Sequence, residues 1–380
     1  MTDADRYRLA FLDWLACAAR GTREPAARAA RAAADGLAGR VAAAGCAGHV
    51  LDYDDTYAAG LVHASAPVAP VALLLAAERG LSLAAALDGY AAGFEATAAL
   101  ARASHPALYE RGWHPTSVCG VTGAAVAAAR LLGLEPERER TAVGISLLGA
   151  GGLQAAFGTD GKALQVGLAA ATGLEAARLA AAGAGVSPDA VATGFESAYG
   201  GRWEAPQRRP AIRENWIKAY PCCLMTHAAI DAAQALRAGG GVPAGDIVVA
   251  VHPTARRAAP REDPSDGLEA KFSIAYTTAH TLLHGPPGVE SFAAPDGAVR
   301  SFAAARIRVR ADPTLLETEA RLEVDGQVAG AVCHARGSPQ NPMDAEALAQ
   351  KVEKLAPGLP AVLDDLDAPA AAAAQAAGLL

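Results

Sequence analysis

The chain has 380 residues, of which 52% are hydrophobic and 5% aromatic, and its formal net charge is -7. This length predicts two domains, whose cores must be packed mainly by alanine and leucine. The negative charge and the lack of a long Lys or Arg run argue against a nucleic-acid partner, whose phosphates need a basic footprint.

The first half of the sequence predicts helices. Residues 6–45 form a helical pattern with a break at Gly21, and residues 67–103 predict two helices separated by a turn at Gly80. Further helices are predicted after the loop at Gly112–Thr116, from about Glu137 to Ala150, after the turn containing Gly158 and Gly161, and from Pro221 to about Gly239. Small residues after Thr116 allow a neighbouring backbone to approach closely.

The pattern changes after residue 240. Alternating polar and apolar residues predict three β segments, at 245–253, 306–313 and 320–337, with Asp325-Gly326 as a hairpin turn. Residues 268–285 between them predict a helix. One more helix follows near residue 345, and the alanine-rich tail is predicted to be disordered.

These patterns predict a mainly α fold, with a large all-helical domain that carries an inserted, smaller α+β lid domain. The helical domain comprises residues 1–239 and 339–380, and the lid comprises residues 240–338. Because binding sites favour domain interfaces, we expect the site to lie between the helical domain and the lid.

The cellular location follows from weaker signals. The start MTDADRYRLA is polar and lacks the apolar segment of a signal peptide. The apolar runs contain charges and are too short to span a bilayer. The six cysteines show no metal-site spacing and are interpreted as reduced thiols. We therefore expect a cytoplasmic protein with no membrane partner.

The stretch HVLDYDDTYAAGLVH, residues 49–63, combines acids and imidazoles in an otherwise apolar chain. It contains Asp52, Asp54, Asp55, Thr56 and a histidine at each end. One interpretation is a solvated turn in which Asp55 or Thr56 caps a helix. The other interpretation is part of a catalytic site.

Later residues favour the second interpretation. His114 lies in the loop GWHPTS, where it could pack structurally or act as a general acid or base. Lys162 is placed near a helix start, where the helix dipole disfavours a cation, so it is either solvated or binds a substrate carboxylate. Lysine is rare, with five residues in all. Lys218, which stands between apolar neighbours, is therefore a candidate for an ammonium group whose pKa is adjusted by its surroundings.

Three weaker candidates remain open. Cys223 and His227 could form a thiolate pair, although a buried, inert cysteine is the alternative. Tyr276 either belongs to a core or donates to a substrate carboxylate. The densest basic patch is either a salt-bridged surface or a cationic rim for an anionic small molecule, and it comprises Arg202, Arg208, Arg209 and Arg213. The sequence has no HExxH or CxxC pattern, so no metal ligand is predicted.

Six stretches occur in the order expected of one family: HVLDYDDT, GWHPTSVCGVTGAAVAAARLLGL, GTDGKALQVGLAA, IKAYPCCLMTHAAIDAA, EAKFSIAYTTAHTLL and GSPQNPMDAEAL. From about Leu12 to Leu348 the chain resembles the MmgE/PrpD family, which includes 2-methylcitrate dehydratase, cis-aconitate decarboxylase and iminodisuccinate epimerase. The resemblance implies a helical domain with a smaller α+β lid, a homodimer, a site in the cleft and no metal or other cofactor.

The resemblance also implies site residues. The positions that match the family's catalytic residues are Asp52, His63, His114, Lys162 and Lys218. The positions that match or adjoin substrate-binding residues are Thr56, Asp55, Tyr276, Cys223 and Gln165. This sequence departs from the family pattern where Gln165 replaces the histidine of a KPLH-like motif and where Cys223 replaces a histidine of the decarboxylase.

The expected activity is that of a cofactor-independent lyase, with dehydration favoured. It would remove a proton next to a carboxylate of a small di- or tricarboxylate-like substrate, with His63 and His114 as acid/base residues and the two lysines on the carboxylate. Epimerisation and decarboxylation on the same scaffold are alternatives. A different alternative is a catalytically idle relative that binds a carboxylate ligand.

Overall fold

The computed structural model describes residues 1–203 and 209–380 of the chain. Eleven α-helices lie between residues 3 and 240 in the described part: α1 Asp3–Gly21, α2 Pro25–Ala32, α3 Gly36–His49, α4 Ser65–Glu78, α5 Leu83–Ser104, α6 Ala107–Glu110, α7 Pro115–Leu132, α8 Pro136–Leu148, α9 Gly161–Ala181, α10 Pro188–Tyr199 and α11 His227–Gly240. The rest follow at α12 Pro253–Ala258, α13 Gly267–Ala270, α14 Ile274–His284, α15 Gly297–Arg306, α16 Ala345–Leu355 and α17 Ala370–Ala376. The predicted mainly α fold is confirmed.

The N-terminal helical segment differs from the prediction in detail. The break at Gly21 is present, and a Cβ there would overlap the carbonyl oxygen of Ala47, so the glycine also lets α1 approach α3. A second break at residues 33–35 separates α2 from α3. Helix α10 was not predicted, and Phe195 is its one buried residue.

The predicted close approach of helices at small residues is confirmed between α5 and α7. A Cβ on Gly123 would lie 2.4 Å from the carbonyl oxygen of Gly93 on the facing helix. Glycine is therefore required here for packing, since any side chain would push the two backbones apart. This tight contact fixes α7, whose N-cap residue is His114.

The larger sheet has four strands: β3 Ile247–Val251, β4 Ile307–Ala311, β5 Ala320–Val324 and β6 Gln327–Val332. Its order is β4-β3-β5-β6, with β3 parallel to β4 and antiparallel to β5. The predicted hairpin joins β5 to β6, and both Asp325 and Gly326 have the positive φ angles that such a two-residue turn requires. A smaller pair joins β1 Thr56–Tyr57 to β2 Asn215–Trp216.

Two hydrophobic cores occupy the molecule. The first is formed mainly by α1–α5 and α7–α9 and also includes buried residues of α16 and α17. The second surrounds the four-stranded sheet, α11, α14 and α15. The division into an all-helical domain and an inserted lid stays a prediction. The apolar residues that line the site described below all belong to the second core or pack against it.

Two predictions for the second half are wrong in detail. The predicted helix at 268–285 is interrupted at residues 271–273, because the Ser273 side chain accepts a hydrogen bond from the Tyr276 backbone and starts a new helix, α14. The alanine-rich tail is not disordered. It forms α17, whose Ala370, Ala373 and Ala374 are buried.

Helix α7 is long and apolar enough to cross a membrane by length and composition alone, but 89% of it is buried inside the protein. The core helix of a soluble protein gives the same signal. The absence of a membrane partner stays a prediction.

Candidate active site

The site is organised by the turn at residues 51–53, which follows α3. Asp52 has a φ of 52°, a left-handed conformation that is uncommon outside glycine but more frequent for aspartate. Four of the chain's five lysines contact this turn: Lys162 and Lys218 reach Asp52, Lys271 donates to the Leu51 carbonyl at 2.6 Å, and Lys351 donates to the Tyr53 carbonyl at 2.8 Å. The rarity of lysine, which made Lys218 a candidate in the sequence, therefore marked residues that surround this turn.

Asp52 carries the charge at the centre of this turn. Its Oδ1 lies 3.1 Å from Lys162 Nζ and 2.9 Å from Lys218 Nζ, and the same Lys218 ammonium also donates to the Asp52 carbonyl at 2.5 Å. Burial would raise the pKa of Asp52, but the two ammonium groups outweigh it and hold that pKa well below its usual range. Asp52 is therefore ionised at neutral pH.

Asp54 holds two histidines. Its carboxylate lies 2.9 Å from His49 Nδ1 and 3.1 Å from His63 Nδ1. His49 Nε2 accepts a hydrogen bond from Lys162 at 2.9 Å, so its proton must be on Nδ1. We assign the same tautomer to His63, because its Nδ1 makes the shorter carboxylate contact; its Nε2 is then unprotonated and lies 3.5 Å from Asp52 Oδ1.

Both histidines are neutral at physiological pH. Burial, with Lys162 nearby, lowers the pKa of His49, and burial lowers the pKa of His63 to about 4 despite the adjacent Asp54. Burial would raise the pKa of Asp54, but the two imidazoles and their hydrogen bonds hold it well below its usual range. The carboxylate thus orients both rings, as in the acid–histidine pairs of hydrolases.

His114 has the opposite tautomer. Gln165 Nε2 lies 2.7 Å from His114 Nδ1, and the amide orientation is fixed because Gln165 Oε1 accepts a hydrogen bond from the Leu153 backbone at 2.9 Å. His114 Nδ1 is therefore an acceptor, and its Nε2 carries the proton. Burial, with Lys162 nearby, lowers the pKa of His114 well below its usual range.

A cavity of about 50 Å³ opens beside this cluster. Asp52, Thr56, His63 and Lys162 form its polar wall. The remaining wall is mostly apolar and consists of Leu61, Tyr109, Phe157, Cys223, Leu224, Met225, Ala258 and Phe272. His114 is one layer further away, with its ring 4.9 Å from that of Phe157. The structure thus brings Asp52, Thr56, His63, Lys162 and Cys223 together at one cavity.

Several predicted site residues lie elsewhere. Lys218 is completely buried behind Asp52 and, within the described chain, does not line the cavity. Asp55 points the other way, accepts a hydrogen bond from Asn215 at 2.6 Å, and has a pKa raised well above its usual range by burial. Tyr276 lies in the second core, where its hydroxyl accepts a hydrogen bond from the Asp296 backbone. This geometry gives no support for direct substrate contact by these three.

Two alternatives from the sequence are decided. Neither Asp55 nor Thr56 caps a helix, because Thr56 begins β1. Cys223 and His227 do not form a pair: the Cys223 thiol faces the Ala258 carbonyl, while His227 Nε2 is 3.3 Å from the Cys222 carbonyl. Burial raises the pKa of Cys223 to about 11, so it is a buried thiol in the cavity wall.

In the basic patch, Arg208 lies outside the described residues. Arg213 forms a bidentate contact with Asp3 at 2.7 and 2.8 Å, and Arg209 lies 4.0 Å from Glu214. These contacts support a salt-bridged surface at the two positions.

The sequence patterns predicted no role for His49, Asp54, Lys271 or Phe272. His49 and Asp54 were visible in the acidic stretch, but irregular backbone gives no period from which to decide which of Asp54 and Asp55 faces the site. Lys271 and Phe272 reach the site only because the helix breaks before Ser273, and the serine itself was the available signal.

Three side chains could also hold a metal ion. The ligand atoms of His49, Asp54 and His63 all lie within 4.8 Å of one another. Two imidazoles and one carboxylate are a chemically suitable ligand set. However, the same Nδ1 and carboxylate atoms are joined by hydrogen bonds, and a metal would have to displace both Nδ1 protons. That the protein needs no metal stays a prediction.

Comparison with known proteins assigns the family. Residues 40–205 match the MmgE/PrpD N-terminal domain, and residues 220–367 match the MmgE/PrpD C-terminal domain. The chain belongs to the MmgE/PrpD family. The resemblance inferred from the six sequence stretches is confirmed.

Several curated relatives of this MmgE/PrpD protein are named for one activity. It is 30% identical to the cis-aconitate decarboxylases of Mus musculus, over 275 residues, and Homo sapiens, over 273 residues. It is also 30% identical over 285 residues to a cis-aconitate decarboxylase-like protein of Aspergillus oryzae. These matches cover 64% to 65% of this chain and 55% to 58% of the relatives, so the chain spans little more than half their length.

Proposed function

We propose that this protein is a cofactor-independent lyase that removes a proton from the carbon next to a carboxylate of a small substrate, with dehydration as the favoured outcome. The position and orientation of His63 are the observation that carries this proposal. Among the described residues it is the one histidine on the cavity wall, and Asp54 binds its Nδ1, so that its unprotonated Nε2 lies on the side of Asp52, 3.5 Å from Asp52 Oδ1.

The proposed reaction needs a base, a cation and a second proton carrier. His63 Nε2 takes the α proton, and the C–H electron pair forms the new C=C bond while the β C–O bond breaks. Lys162 neutralises the charge that develops on the substrate carboxylate. His114 carries its proton on Nε2 but does not line the cavity, so it supplies the proton with which the hydroxyl leaves as water through a bridging water molecule.

The alternatives use the same residues. In epimerisation the proton would return to the opposite face of the carbon. In decarboxylation CO₂ would leave and the carbon would be protonated, which is the activity for which the relatives above are named. A catalytically idle binding protein is the alternative of a different class. We also propose a cytoplasmic homodimer, which size-exclusion chromatography with light scattering tests for the assembly.

The test is incubation of the purified protein in D₂O with small hydroxy- and unsaturated carboxylates, without added metal, followed by proton NMR. Deuterium at the α carbon, or loss of water or CO₂, is expected and identifies the branch. In His63→Gln this signal should fall by about 10²-fold or more. An equal signal in wild type and His63→Gln would remove His63 as the base, and silence with every substrate would favour the idle-binder alternative.

A further inference from the structure

Exposed leucines cluster on the end of α8, on the loop that follows it and on α9. Of the ten large apolar side chains that are exposed in the described part of the chain, four lie between residues 148 and 179. Leu148, Leu153 and Leu168 are 66%, 52% and 63% exposed. Because apolar surface is costly in water, a cluster of this kind marks a surface that binds another molecule.

These side chains form one continuous surface, the leucine face, which comprises Leu148, Leu153, Leu164 and Leu168. In α9, Leu164 and Leu168 are four residues apart and therefore share one side of the helix. The end of α8 lies against the same side, since a Cβ on Gly149 would be 2.6 Å from the methyl group of Thr172, one turn after Leu168.

The leucine face carries no charge. Residues 141–159 and 163–174 contain no Asp, Glu, Lys or Arg. Between residues 141 and 179 the sequence has one lysine and one arginine: Lys162 is buried in the site, and Arg178 contacts Glu175 and Glu78 at 3.0 and 3.1 Å. The face therefore offers no countercharge to a phosphate backbone, an anionic lipid headgroup or an acidic peptide.

A second copy of this chain suits such a face. Each copy has a net charge of -7, so two copies repel each other, and this repulsion is smallest where both surfaces are uncharged. A two-fold symmetric interface must also be self-complementary, and leucines along a helix can pack against the same leucines of a partner. Ala171 is small enough to let two α9 helices approach closely at this position.

The leucine face reaches the site through Leu153. The Leu153 backbone N–H donates to Gln165 Oε1 at 2.9 Å, and the Leu153 carbonyl accepts from Gln165 Nε2 at 3.3 Å. The same Nε2 donates to His114 Nδ1 at 2.7 Å. Because Leu153 is half exposed in a single chain, water competes for these bonds, and a partner that covers Leu153 would remove this competition.

We infer that the leucine face binds the same face of a second copy, and that this contact holds the Gln165 amide in the orientation that sets the proton of His114. The inference deepens the proposed homodimer by assigning the surface through which the two copies associate. It rests on the proposed function only for the role of His114 as a proton carrier.

Light scattering after size-exclusion chromatography tests the interface. Leu168→Glu places a carboxylate in the leucine face of both copies and should weaken their association by at least about 100-fold, so that the variant is a monomer where the wild type is a dimer. Leu316→Glu is the matched control: Leu316 is 54% exposed but lies outside the leucine face, so this variant should remain a dimer.

A monomeric wild type at micromolar concentration overturns the inference, and so does a folded Leu168→Glu protein that is as dimeric as the control. Circular dichroism establishes that each variant is folded. If Leu168→Glu does not fold, Leu148→Glu makes the same comparison from the neighbouring helix, at a side chain that is 66% exposed.

Nitrogen NMR of the imidazoles tests the link to the site. The dimer should hold the His114 proton on Nε2, whereas the monomeric variant should show a mixture of the two tautomers. An unchanged tautomer in the monomer overturns the link. This measurement needs no substrate, so it is independent of the proposed reaction: a dimeric wild type that incorporates no α-deuterium sinks the lyase proposal and leaves this inference standing.

Discussion

Lys218 contacts Asp52 twice, at its backbone carbonyl and at its carboxylate, from a position with no solvent exposure. The ammonium therefore fixes the side chain of Asp52 relative to its own backbone, in a left-handed conformation that would otherwise be costly. This makes Lys218 a structural element of the site and separates its role from that of Lys162.

Removal of that ammonium should destabilise the protein. Lys218→Met leaves the Asp52 carboxylate in a buried site with one cation fewer, and breaking a buried pair in this way costs about 3–5 kcal/mol. Urea unfolding at neutral pH measures the change. Lys354→Met is the matched control, because Lys354 is exposed and its loss should change the free energy of unfolding by less than about 0.5 kcal/mol. Equal stability of the two variants would contradict the assigned role.

Asp54→Asn should reverse the tautomer of His63. The new amide can donate a hydrogen bond to Nδ1, which would move the ring proton to Nε2 and remove the lone pair that acts as the base. Turnover should fall by about 10²-fold or more, and nitrogen NMR of the imidazoles should report the altered tautomer. Asp55→Asn is the control: its side chain faces Asn215, so turnover should be retained. Wild-type turnover in Asp54→Asn would refute the orienting role.

The pH dependence of kcat/KM tests His63 directly. Burial lowers the pKa of His63 to about 4, so the unprotonated base should persist well below the ordinary histidine pKa of about 6.5. We expect the acid limb near pH 4. The unfolded chain binds this proton near pH 6.5 and the folded protein near pH 4, so the free energy of unfolding falls as the pH drops from about 6.5 to about 4. Circular dichroism at each pH separates unfolding from loss of the base, and a limb near pH 6.5 in folded protein would be inconsistent with this assignment.

Gln165→Glu should impair the second proton carrier. A carboxylate can only accept at His114 Nδ1, which would draw the proton from Nε2 to Nδ1 and leave no donor there. Turnover should fall towards the level of His114→Ala, for which a loss of about 10²-fold is expected. Gln165→His, which introduces the residue of the family's KPLH-like motif, is the informative comparison. Full turnover in Gln165→Glu would mean that the tautomer of His114 is unimportant.

Chelation tests the alternative use of His49, Asp54 and His63 as metal ligands. Because their ligand atoms are satisfied by mutual hydrogen bonds, dialysis against EDTA should leave turnover and the melting temperature unchanged. Metal analysis of the purified protein by mass spectrometry is the companion measurement. Turnover lost on dialysis and regained with one divalent ion would replace the hydrogen-bonded arrangement by a metal site.

Features set by local sequence were predictable. The hairpin at Asp325-Gly326 follows from turn chemistry, and the close approach of α5 and α7 follows from glycines such as Gly123. The position of Lys162 at a helix start, unfavourable for an isolated helix, is explained by Asp52 and His49.

Features set by tertiary contacts were not predictable. Asp54 and Asp55 are adjacent in sequence, but their side chains face opposite sides of the backbone. Tyr276 lies in a helix, and its sequence context is compatible with either a core position or a site position. Only the packing of the second core decides that its hydroxyl meets the Asp296 backbone. The direction in which Lys218 and Lys271 point likewise depends on hydrogen-bond partners in the turn, which lie 166 and 220 residues away in the chain.

The lysines around residues 51–53 give the protein a natural set of chemical probes. Four ε-amino groups are buried at the turn and the fifth, on Lys354, is exposed, so an amine-acylating reagent should modify Lys354 rapidly in the folded protein. Acylation at the other four requires the turn to open. Mass spectrometry of the labelled peptides would therefore time the opening of the site residue by residue, without any introduced label.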